Sequence, residues 1–450
     1  MIFWTLDRVA TALGDSAASR HPRGTTELSG VTTDSRNIVA GQLFVALQGE
    51  QFDGHEYVAA AVEQGAAAAV VSRRIEGLQI PTFVVPDTLV ALGKLGSYRR
   101  RAWGGPVVMV AGSNGKTTTK DLIRAALSKA MNVHATTGNL NNRIGVALTL
   151  LAIPQGAEIA VVEAGTNLPG EVAMLREIMD PDISVVTSIG EEHLEGLRDI
   201  AGVLEEEAAA FAGVKIAIVP SAQPEIAAAA RGKAADVKTA GLDDGDIHPD
   251  SWSITADGVG TLNFGRVSVS PPLRGIHNLR NTMLAIGVAR SCGVSDDVAA
   301  NGIRAMPAPK MRVAWDNVGK ATLINDAYNS NPGSARAAIE IVRNLDGDRQ
   351  RVIVLGTMRE LGDAAVRCHD EISTVALESG ADVIAGVGDF AESLVRVGGN
   401  DPRIVVSANV SDLWPALSPR IRPDAVILLK ASRGVRLEQL VPQITTWANS

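Results

Sequence analysis

The stretch that decides the fold runs from Val107 to Thr119 and has the sequence VVMVAGSNGKTTT. Its apolar start predicts a short buried strand, and the glycines and the Lys-Thr pair predict a turn that opens a helix. Such a turn binds phosphate, because backbone N–H groups and the helix dipole attract anions. The turn keeps the pattern G-x-x-G-K-T, although Val110 replaces the first glycine of the general loop. An ordinary strand–helix turn is the alternative.

Two side chains of this loop have predicted tasks. Lys116 would neutralise the β- and γ-phosphates of a nucleotide, and Thr117 would offer its hydroxyl to Mg²⁺. The helix that follows is amphipathic through Leu122 and Leu127, which favours packing against a sheet.

The composition excludes several classes of protein. The chain has 450 residues, so two or three domains of about 100–200 residues are expected. A net charge of −8 gives no sign of nucleic-acid binding. Cys292 and Cys368 are the only cysteines, which supports neither a disulfide framework nor a zinc site. The N-terminus lacks a signal-peptide layout, and no apolar run reaches the about 20 residues of a membrane span. We therefore expect a cytoplasmic protein.

The order of predicted elements indicates an α/β protein with three parts. Residues 1–103 mix short strands and helices. Residues 104–309 alternate strands and helices, with a small antiparallel insert predicted over residues 237–272. Residues 310–450 form a βα repeat of parallel type, with five apolar strands. The apolar strands of the second part suit a sheet covered by helices on both faces.

Polar residues follow two strands of the second part. Glu163 ends an apolar strand, and ligands of open α/β sheets lie beyond the carboxyl ends of strands. Its carboxylate is a natural ligand for Mg²⁺, although a capping or solvated glutamate is the alternative. His193 follows a neighbouring strand, near the same edge of the sheet, and is either a ligand-binding residue or a structural or solvated histidine. The polar loop from Thr136 to Asn142 binds phosphates or sugars, or is a plain turn.

The third part has candidates of the same kind. Asp326 stands at the end of a strand and could take a ribose hydroxyl, or could form a turn before a helix cap at Pro332. Arg312 follows a linker and is either a phosphate contact or a surface charge. The loop from Lys430 to Gly434 follows the last apolar strand and could hold a carboxylate, or is only a polar loop.

Several motifs together resemble the Mur ligase family. The phosphate-binding loop is similar to its ATP signature, and residues 277–281 (HNLRN) are similar to its H-N-x-x-N motif. Four further stretches carry the resemblance over nearly the whole chain: NLNNRIG at 139–145, IGEEHLE at 189–195, DAYNSNP at 326–332 and LGTMRELG at 355–362.

The resemblance implies a three-domain Mur ligase architecture, with a central P-loop ATPase-like parallel sheet and a C-terminal Rossmann-like domain. It implies an ATP- and Mg²⁺-dependent ligase that joins D-alanyl-D-alanine to UDP-N-acetylmuramoyl-tripeptide through an acyl phosphate, in the synthesis of peptidoglycan precursors. The first domain, residues 1–103, would bind the UDP-sugar. The second, residues 104–309, would bind ATP, and the third, residues 310–450, would bind the dipeptide. A monomer is expected.

Site residues follow from the resemblance position by position. Catalytic roles are expected for Lys116, Glu163, His193 and Arg312. ATP contacts are expected at Gly112, Ser113, Asn114, Gly115, Lys116, Thr117, Thr118, Asn278, Asn281, Arg312 and Asp326. Contacts to the acceptor or the dipeptide are expected at Ser35, Arg36, Asp53, His55, Asn139, Asn142, Tyr328, Asn329, Lys430, Ser432 and Arg433. The implied metal ligands are Thr117, Glu163, His193 and Glu207.

One departure from the family pattern concerns Glu207. Many members have a lysine there, within A-K-x-E, that is carbamylated to give a carboxylate. Glutamate would supply that carboxylate without CO₂, so we expect activity here not to depend on bicarbonate. The alternative is that Glu205 to Glu207 only form an exposed helical face.

Two rival functions remain open at this stage. One is another Mur-type ligase, which adds an amino acid to a UDP-muramoyl peptide or glutamate to folate. The other is a nucleotide-dependent binding module without ligation.

Overall fold

The computed structural model of the protein describes residues 2–14, 21–49, 52–308 and 310–450. Met1 and Pro309, which bound predicted domains, lie outside the described residues. The chain forms two compact units. One comprises residues 1–109, 131–165 and 171–182, and the other comprises residues 110–130, 166–170 and 183–450. The three predicted domain boundaries stay predictions.

The N-terminal part is a small α/β structure in the first unit. Its elements are β1 (Trp4–Thr5), α1 (Leu6–Leu13), β2 (Glu27–Leu28), β3 (Val31–Thr32), β4 (Leu43–Val45), α2 (Val58–Glu63), β5 (Ala68–Val71), β6 (Thr82–Val84) and α3 (Thr88–Trp103). Strands β3, β4, β5 and β6 form a parallel sheet in that order. All residues of β4 and β5 are buried, as expected for central strands of a parallel sheet, because both faces of such a sheet are covered.

The middle part begins with the decisive stretch. Its first elements are β7 (Val107–Ala111), α4 (Lys116–Leu127), β8 (Val133–Ala135), α5 (Arg143–Leu151), β9 (Ile159–Glu163), α6 (Glu171–Met179), β10 (Ile183–Val186), α7 (Leu194–Leu197) and α8 (Ile200–Glu207). They are followed by β11 (Ile216–Pro220), α9 (Pro224–Ala230), β12 (Asp236–Ala240), β13 (Ser251–Ile254), β14 (Gly260–Phe264), β15 (Val267–Val269), α10 (Ile276–Ser291) and α11 (Asp296–Arg304).

The strands of the middle part belong to both units. In the second unit β12, β11 and β10 are neighbours in that order, and in the first unit β8 pairs in parallel with β9. All residues of β7, β9 and β10 are buried, as their continuous apolar sequences predict.

The antiparallel insert is smaller than the sequence predicts. Only β13, β14 and β15 form an antiparallel sheet. Residues 237–240 instead belong to β12, which pairs in parallel with β11. The prediction was wrong there because β12 is the edge strand of its sheet. Its partly exposed residues give it the mixed polar sequence that otherwise indicates antiparallel pairing.

The C-terminal part lies in the second unit and is a six-stranded sheet with helices. Its elements are β16 (Ala314–Val318), β17 (Ala321–Asp326), α12 (Pro332–Arg343), β18 (Arg351–Gly356), α13 (Ala365–Leu377), β19 (Val383–Val387), α14 (Asp389–Gly398), β20 (Ile404–Ser407), α15 (Val410–Leu417), β21 (Val426–Lys430) and α16 (Leu440–Ala448). The strand order is β16, β17, β21, β18, β19 and β20. The five predicted strands pair in parallel, whereas β16 is antiparallel and was not predicted.

Apolar clusters on both faces of this sheet explain its stability. Leu323, Ile427 and Leu429 face one cluster, whereas Ile324 and Leu428 face the other. Among the helices of the described residues, none has the length and apolarity needed to cross a membrane.

Candidate active site

The phosphate-binding loop joins β7 to α4, as the sequence predicts. Gly112 has a φ of 111°, and a Cβ atom there would lie 2.5 Å from Thr187 Oγ1. Gly115 has a φ of 85° and is the residue before Lys116, the first residue of α4. Both glycines are therefore required by backbone conformation, and Gly112 also by the close approach of the segment after β10.

That segment fixes the backbone of the loop. The amide of Ser113 donates to the carbonyl of Ser188 at 2.7 Å, and the amide of Asn114 donates to the Ser188 hydroxyl at 3.0 Å. The Thr187 hydroxyl donates to the carbonyl of Asn114 at 2.6 Å. The loop is therefore held in shape before any phosphate arrives.

The side chain of Lys116 contacts two carbonyl groups of its own loop and the carboxylate of Glu192. Its ammonium donates to the carbonyl of Gly112, to the carbonyl of Ser113 at 3.2 Å and to Glu192 Oε1 at 3.2 Å. Glu192 is buried, which strengthens the ion pair. Glu192 adjoins His193 in the segment beyond β10, and no role was predicted for it from the sequence.

Glu207 lies directly below the loop, at the end of α8. Its side chain is fully buried, and its Oε2 accepts the amide N–H of Gly112 at 2.7 Å. Its Oε1 has no hydrogen-bond partner among the described residues. Burial raises the pKa of Glu207 to about 7, although the nearby Lys116 acts in the opposite direction. The exposed-face alternative is wrong for Glu207 and for Glu206, which is also buried; it fits only Glu205.

His193 adopts a left-handed backbone conformation, with a φ of 51°. Its Nδ1 lies 2.5 Å from Glu360 Oε2, and its Nε2 lies 3.9 Å from Glu192 Oε2. The contact with His193 lowers the pKa of Glu360 below its ordinary value. Glu360 belongs to the quoted stretch LGTMRELG, but the sequence analysis gave it no role.

Glu163 lies in the first unit and is buried at the end of β9. Its Oε1 accepts a hydrogen bond of 2.9 Å from Asn141 Nδ2, and its amide donates to the Thr136 hydroxyl at 2.9 Å. The polar loop from 136 to 142 thus holds this carboxylate. Asn142 caps α5 by accepting from the amide of Gly145, and its predicted contact with substrate stays a prediction.

The carboxylates near the phosphate loop are of the chemical type that binds a hard divalent cation such as Mg²⁺. Carboxylate oxygens are the ligands that Mg²⁺ prefers, and Glu207 Oε1 is a buried oxygen without a partner among the described residues. Over the part of the chain that the structure describes, no group of three or more His, Cys, Asp or Glu side chains is arranged as a metal site. The predicted ligand set of Thr117, Glu163, His193 and Glu207 therefore stays a prediction.

Arg312 reaches the loop from the C-terminal part. Its Nη2 donates to the Thr117 hydroxyl at 3.1 Å, and its guanidinium lies 4.3 Å from the centre of the Tyr328 ring. A guanidinium over an aromatic face is stabilised by cation–π attraction. The structure thus places Arg312, Thr117 and Tyr328 together and shows that Arg312 is not a solvated surface charge.

The two asparagines of the H-N-x-x-N motif are buried on α10. Asn278 Nδ2 donates to the carbonyl of Arg274 at 2.8 Å. A Cβ atom on Gly115 would lie 2.8 Å from the Asn281 amide group, so α10 packs against the phosphate loop. Burial lowers the pKa of the adjacent His277 to about 4.

Asp326 and Lys430 form a buried pair at the ends of neighbouring strands. Lys430 Nζ lies 2.7 Å from Asp326 Oδ2 and donates to the carbonyl of Asn329 at 2.6 Å. Asp326 Oδ1 accepts from the amide of Val313 at 3.0 Å. These two residues, which we had predicted to bind different substrates, bind each other in this state.

The two predicted site residues in the loop after β21, Ser432 and Arg433, differ in their exposure to solvent. Ser432 is buried and accepts from the amide of Arg359 at 3.0 Å. Arg433 is exposed and forms an ion pair with Glu438 at 2.9 Å.

Asn331 has a structural task and a contact with the phosphate loop. It caps α12 through a capping box with Ser334, as the helix-cap interpretation before Pro332 predicts. Its Nδ2 also donates to Asn114 Oδ1 at 2.8 Å. The sequence analysis missed this second contact.

The acceptor-site candidates of the N-terminal part lie in the first unit. Ser35 and Arg36 occupy the turn after β3, where Arg36 Nε donates to Asp34 at 2.8 Å and lowers its pKa. Asp53 Oδ1 lies 2.6 Å from His55 Nδ1, and His55 Nε2 accepts the amide N–H of Ser72 at 2.8 Å. Their roles toward a UDP-sugar stay predictions.

The fold and this site define a nucleotide-binding α/β protein of the phosphate-loop class. Three family models match the chain in succession: the Mur ligase family catalytic domain over residues 27–96, the Mur ligase middle domain over 110–289 and the Mur ligase glutamate ligase domain over 311–433. The chain belongs to the Mur ligase family.

Curated relatives share one printed name, UDP-N-acetylmuramoyl-tripeptide–D-alanyl-D-alanine ligase. The Bacillus subtilis protein is 34% identical over 437 residues, which are 93% of this chain and 93% of the relative. The Escherichia coli protein is 32% identical over 426 residues, which are 92% and 93% of the two chains.

Solved structures of the same family share the fold. The crystal structure of MurF from Acinetobacter baumannii has a TM-score of 0.89 and 29% identity, and the match covers 98% of this chain and 99% of that one. MurF from Thermotoga maritima, crystallised with ADP, has a TM-score of 0.84 and 25% identity over 93% and 98% of the chains. The predicted three-domain Mur ligase architecture is confirmed.

Proposed function

We propose that this protein is an ATP-dependent ligase that joins D-alanyl-D-alanine to UDP-N-acetylmuramoyl-tripeptide in peptidoglycan precursor synthesis. The observation that carries the proposal is the loop itself: a strand–turn–helix with a partly buried lysine, in a chain that matches ligases of this name over nearly its whole length. The ADP of the Thermotoga relative supports ATP as the nucleotide. We expect the enzyme to act as a cytoplasmic monomer.

The reaction needs an activated acid, because a free carboxylate has a poor leaving group. The terminal carboxylate of the tripeptide attacks the γ-phosphate of ATP, which gives an acyl phosphate and ADP. The amine of D-alanyl-D-alanine then attacks the acyl carbon, and inorganic phosphate leaves from the tetrahedral intermediate. The new C–N bond replaces the bond from the acyl carbon to the phosphate oxygen, and the amine nitrogen releases one proton to phosphate or solvent, so atoms and charges balance.

The task of the protein is to neutralise and align charge. Lys116 would exchange its bonds to Glu192 and to the loop carbonyls for bonds to phosphate oxygens. Arg312, already placed over Tyr328 beside Thr117, would add a second cation at the transferred phosphoryl group.

Magnesium would be held by Thr117, Glu163, His193 and Glu207, and would supply further neutralisation of the phosphate charge. Glu207 has the strongest support among these residues, since one of its carboxylate oxygens is buried and has no partner among the described residues.

The direct test is phosphate release in the presence of ATP, UDP-N-acetylmuramoyl-tripeptide and D-alanyl-D-alanine, with the amide product identified by mass spectrometry. The protein should form the pentapeptide product, and Lys116→Ala should form none while its thermal unfolding remains cooperative. Near-normal turnover by the Lys116→Ala protein would contradict the assignment of the loop.

The rival ligase activity is separated by the choice of amine in the same assay. Single amino acids should release no phosphate above background if the dipeptide is the substrate. Phosphate release with one amino acid instead of the dipeptide would favour the other Mur-type ligase, and nucleotide binding without any amide product would favour the binding module.

A further inference from the structure

Glu360 and His193 make a short contact that no step of the proposed reaction uses. His193 Nδ1 lies 2.5 Å from Glu360 Oε2, within ion-pair distance, although its direction does not meet hydrogen-bond geometry among the described residues. The Glu360 side chain is half-exposed, whereas that of His193 is mostly buried. Glu360 belongs to the loop after β18, and His193 belongs to the segment that precedes α7. The two residues come from different sheets, so their meeting is a product of the tertiary fold.

Both residues have an unusual backbone conformation. The φ angles of His193 and Glu360 are 51° and 65°, in the left-handed region that non-glycine residues rarely occupy. Such a conformation costs about 1–3 kcal/mol and persists where the surrounding structure requires it, often at functional sites. Two strained residues that meet through their side chains indicate that the contact itself is required.

The backbones of the two segments also approach closely. The amide of Glu195 donates to the carbonyl of Glu360 at 3.3 Å. A Cβ atom on Gly362 would lie 3.1 Å from the Cα of Glu195. The backbone at and just after Glu360 is therefore fixed against the segment that carries His193.

A chain of polar contacts leads from Glu360 to the phosphate loop. His193 Nε2 lies 3.9 Å from Glu192 Oε2, and Glu192 Oε1 accepts from Lys116 at 3.2 Å. The ring of His193 thus presents one nitrogen to Glu360 and the other to the carboxylate that binds the catalytic lysine.

We propose that Glu360 is a positioning residue that fixes the His193 ring with its proton on Nδ1 and its free lone pair on Nε2. A carboxylate that accepts one ring N–H holds the imidazole in one orientation and one tautomer, which is how the orientation of metal-binding histidines is commonly set. The proposal deepens the proposed function, because the lone pair on Nε2 is what His193 needs to bind a divalent cation.

The structure provides a matched control for this contact. Arg367 Nη2 donates to Glu191 Oε1 at 2.6 Å, which joins α13 to the same segment two residues before His193. Arg367→Ala removes an ion pair between these segments without touching the imidazole. It therefore separates loss of docking from loss of histidine orientation.

The tautomer can be measured without any turnover. In the ¹⁵N-histidine NMR spectrum of the full chain at about pH 8, above the ordinary histidine pKa, we expect the His193 signal, assigned by its absence in His193→Ala, to show a protonated Nδ1 and a bare Nε2. Glu360→Ala should lose this pattern, and Arg367→Ala should keep it. A proton on Nε2 in the unmodified protein, or an unchanged pattern in Glu360→Ala, would overturn the proposal.

Cation affinity is the second readout, with Mn²⁺ as the probe and ADP present, followed by electron paramagnetic resonance. Glu360→Ala should weaken Mn²⁺ binding about tenfold, a typical effect of losing such a partner, and Arg367→Ala by less than about twofold. The two substitutions His193→Ala and Glu360→Ala should be non-additive if Glu360 acts through the ring. Additive losses would contradict this. If the unmodified protein binds no Mn²⁺, the metal part of the proposed function fails, and the NMR result still decides the role of Glu360.

Discussion

The amide of Gly112 donates a hydrogen bond of 2.7 Å to Glu207 Oε2, so a fully buried carboxylate supports the first glycine of the phosphate loop. The resemblance to Mur ligases places Glu207 where many members have a carbamylated lysine. The glutamate is buried, and one of its oxygens has no partner among the described residues, which leaves that oxygen available for such a role.

We therefore expect ligation to be independent of bicarbonate. In CO₂-depleted buffer, added bicarbonate should leave the rate unchanged, because Glu207 supplies its carboxyl group covalently and needs no bound CO₂. Glu207→Lys is the matched variant: it should be inactive without bicarbonate and should regain part of its activity when bicarbonate is added. A clear bicarbonate rescue of the unmodified enzyme would defeat the prediction.

Arg312→Lys should reduce kcat/KM for ATP about tenfold to 100-fold. Lysine keeps the charge but cannot both lie flat over Tyr328 and donate to Thr117, and these contacts together contribute about 1.5–3 kcal/mol. Steady-state phosphate release measures the effect. Tyr328→Phe, which keeps the ring face, should change kcat/KM by less than about twofold. Equal losses in the two variants would mean that the Tyr328 hydroxyl, and not the stacked guanidinium, is the important group.

Lys430→Met should lower the free energy of unfolding by about 3–5 kcal/mol, because it leaves the carboxylate of Asp326 buried without its partner. Urea unfolding followed by circular dichroism measures the loss. Adding Asp326→Asn should restore part of it, since the amide oxygen can still accept the N–H of Val313 and carries no charge. If the double variant is as unstable as the sum of the single ones, the pair is not energetically coupled.

His277 should make stability fall as the pH decreases from about 7 to about 4. Burial lowers its folded-state pKa from 6.5 to about 4, so the unfolded chain binds a proton first and is favoured in that window. The effect is at most about 3.4 kcal/mol, because the pKa falls from 6.5 in the unfolded chain to about 4 in the folded protein. His277→Gln cannot titrate, so its unfolding free energy should lose less over the same range. If the unfolding free energies of the two proteins decrease equally with decreasing pH, then burial of the His277 imidazole does not destabilise the folded protein in this range.

The sequence was sufficient for the parts of the site that are local in the chain. The strand–turn–helix from Val107 to Thr119 is encoded by adjacent residues, and so is the helix cap at Asn331. The apolar runs also predicted the five parallel strands of the C-terminal sheet.

Contacts between distant segments could not be predicted. The bonds of Lys116 to Glu192, of His193 to Glu360 and of Asn331 to Asn114 depend on how strands and loops pack. Edge strands were the other failure: β12 was assigned to the insert and β16 was missed, because exposed edges do not need apolar sequences.

The ion pair between Lys116 and Glu192 affects how strongly free phosphate can bind to the loop. Since the ammonium already has an internal anion, a single orthophosphate gains little by displacing it, whereas a nucleotide brings several phosphoryl groups and the contacts of its base and sugar. The enzyme at rest should therefore be poorly inhibited by the inorganic phosphate that each catalytic cycle liberates.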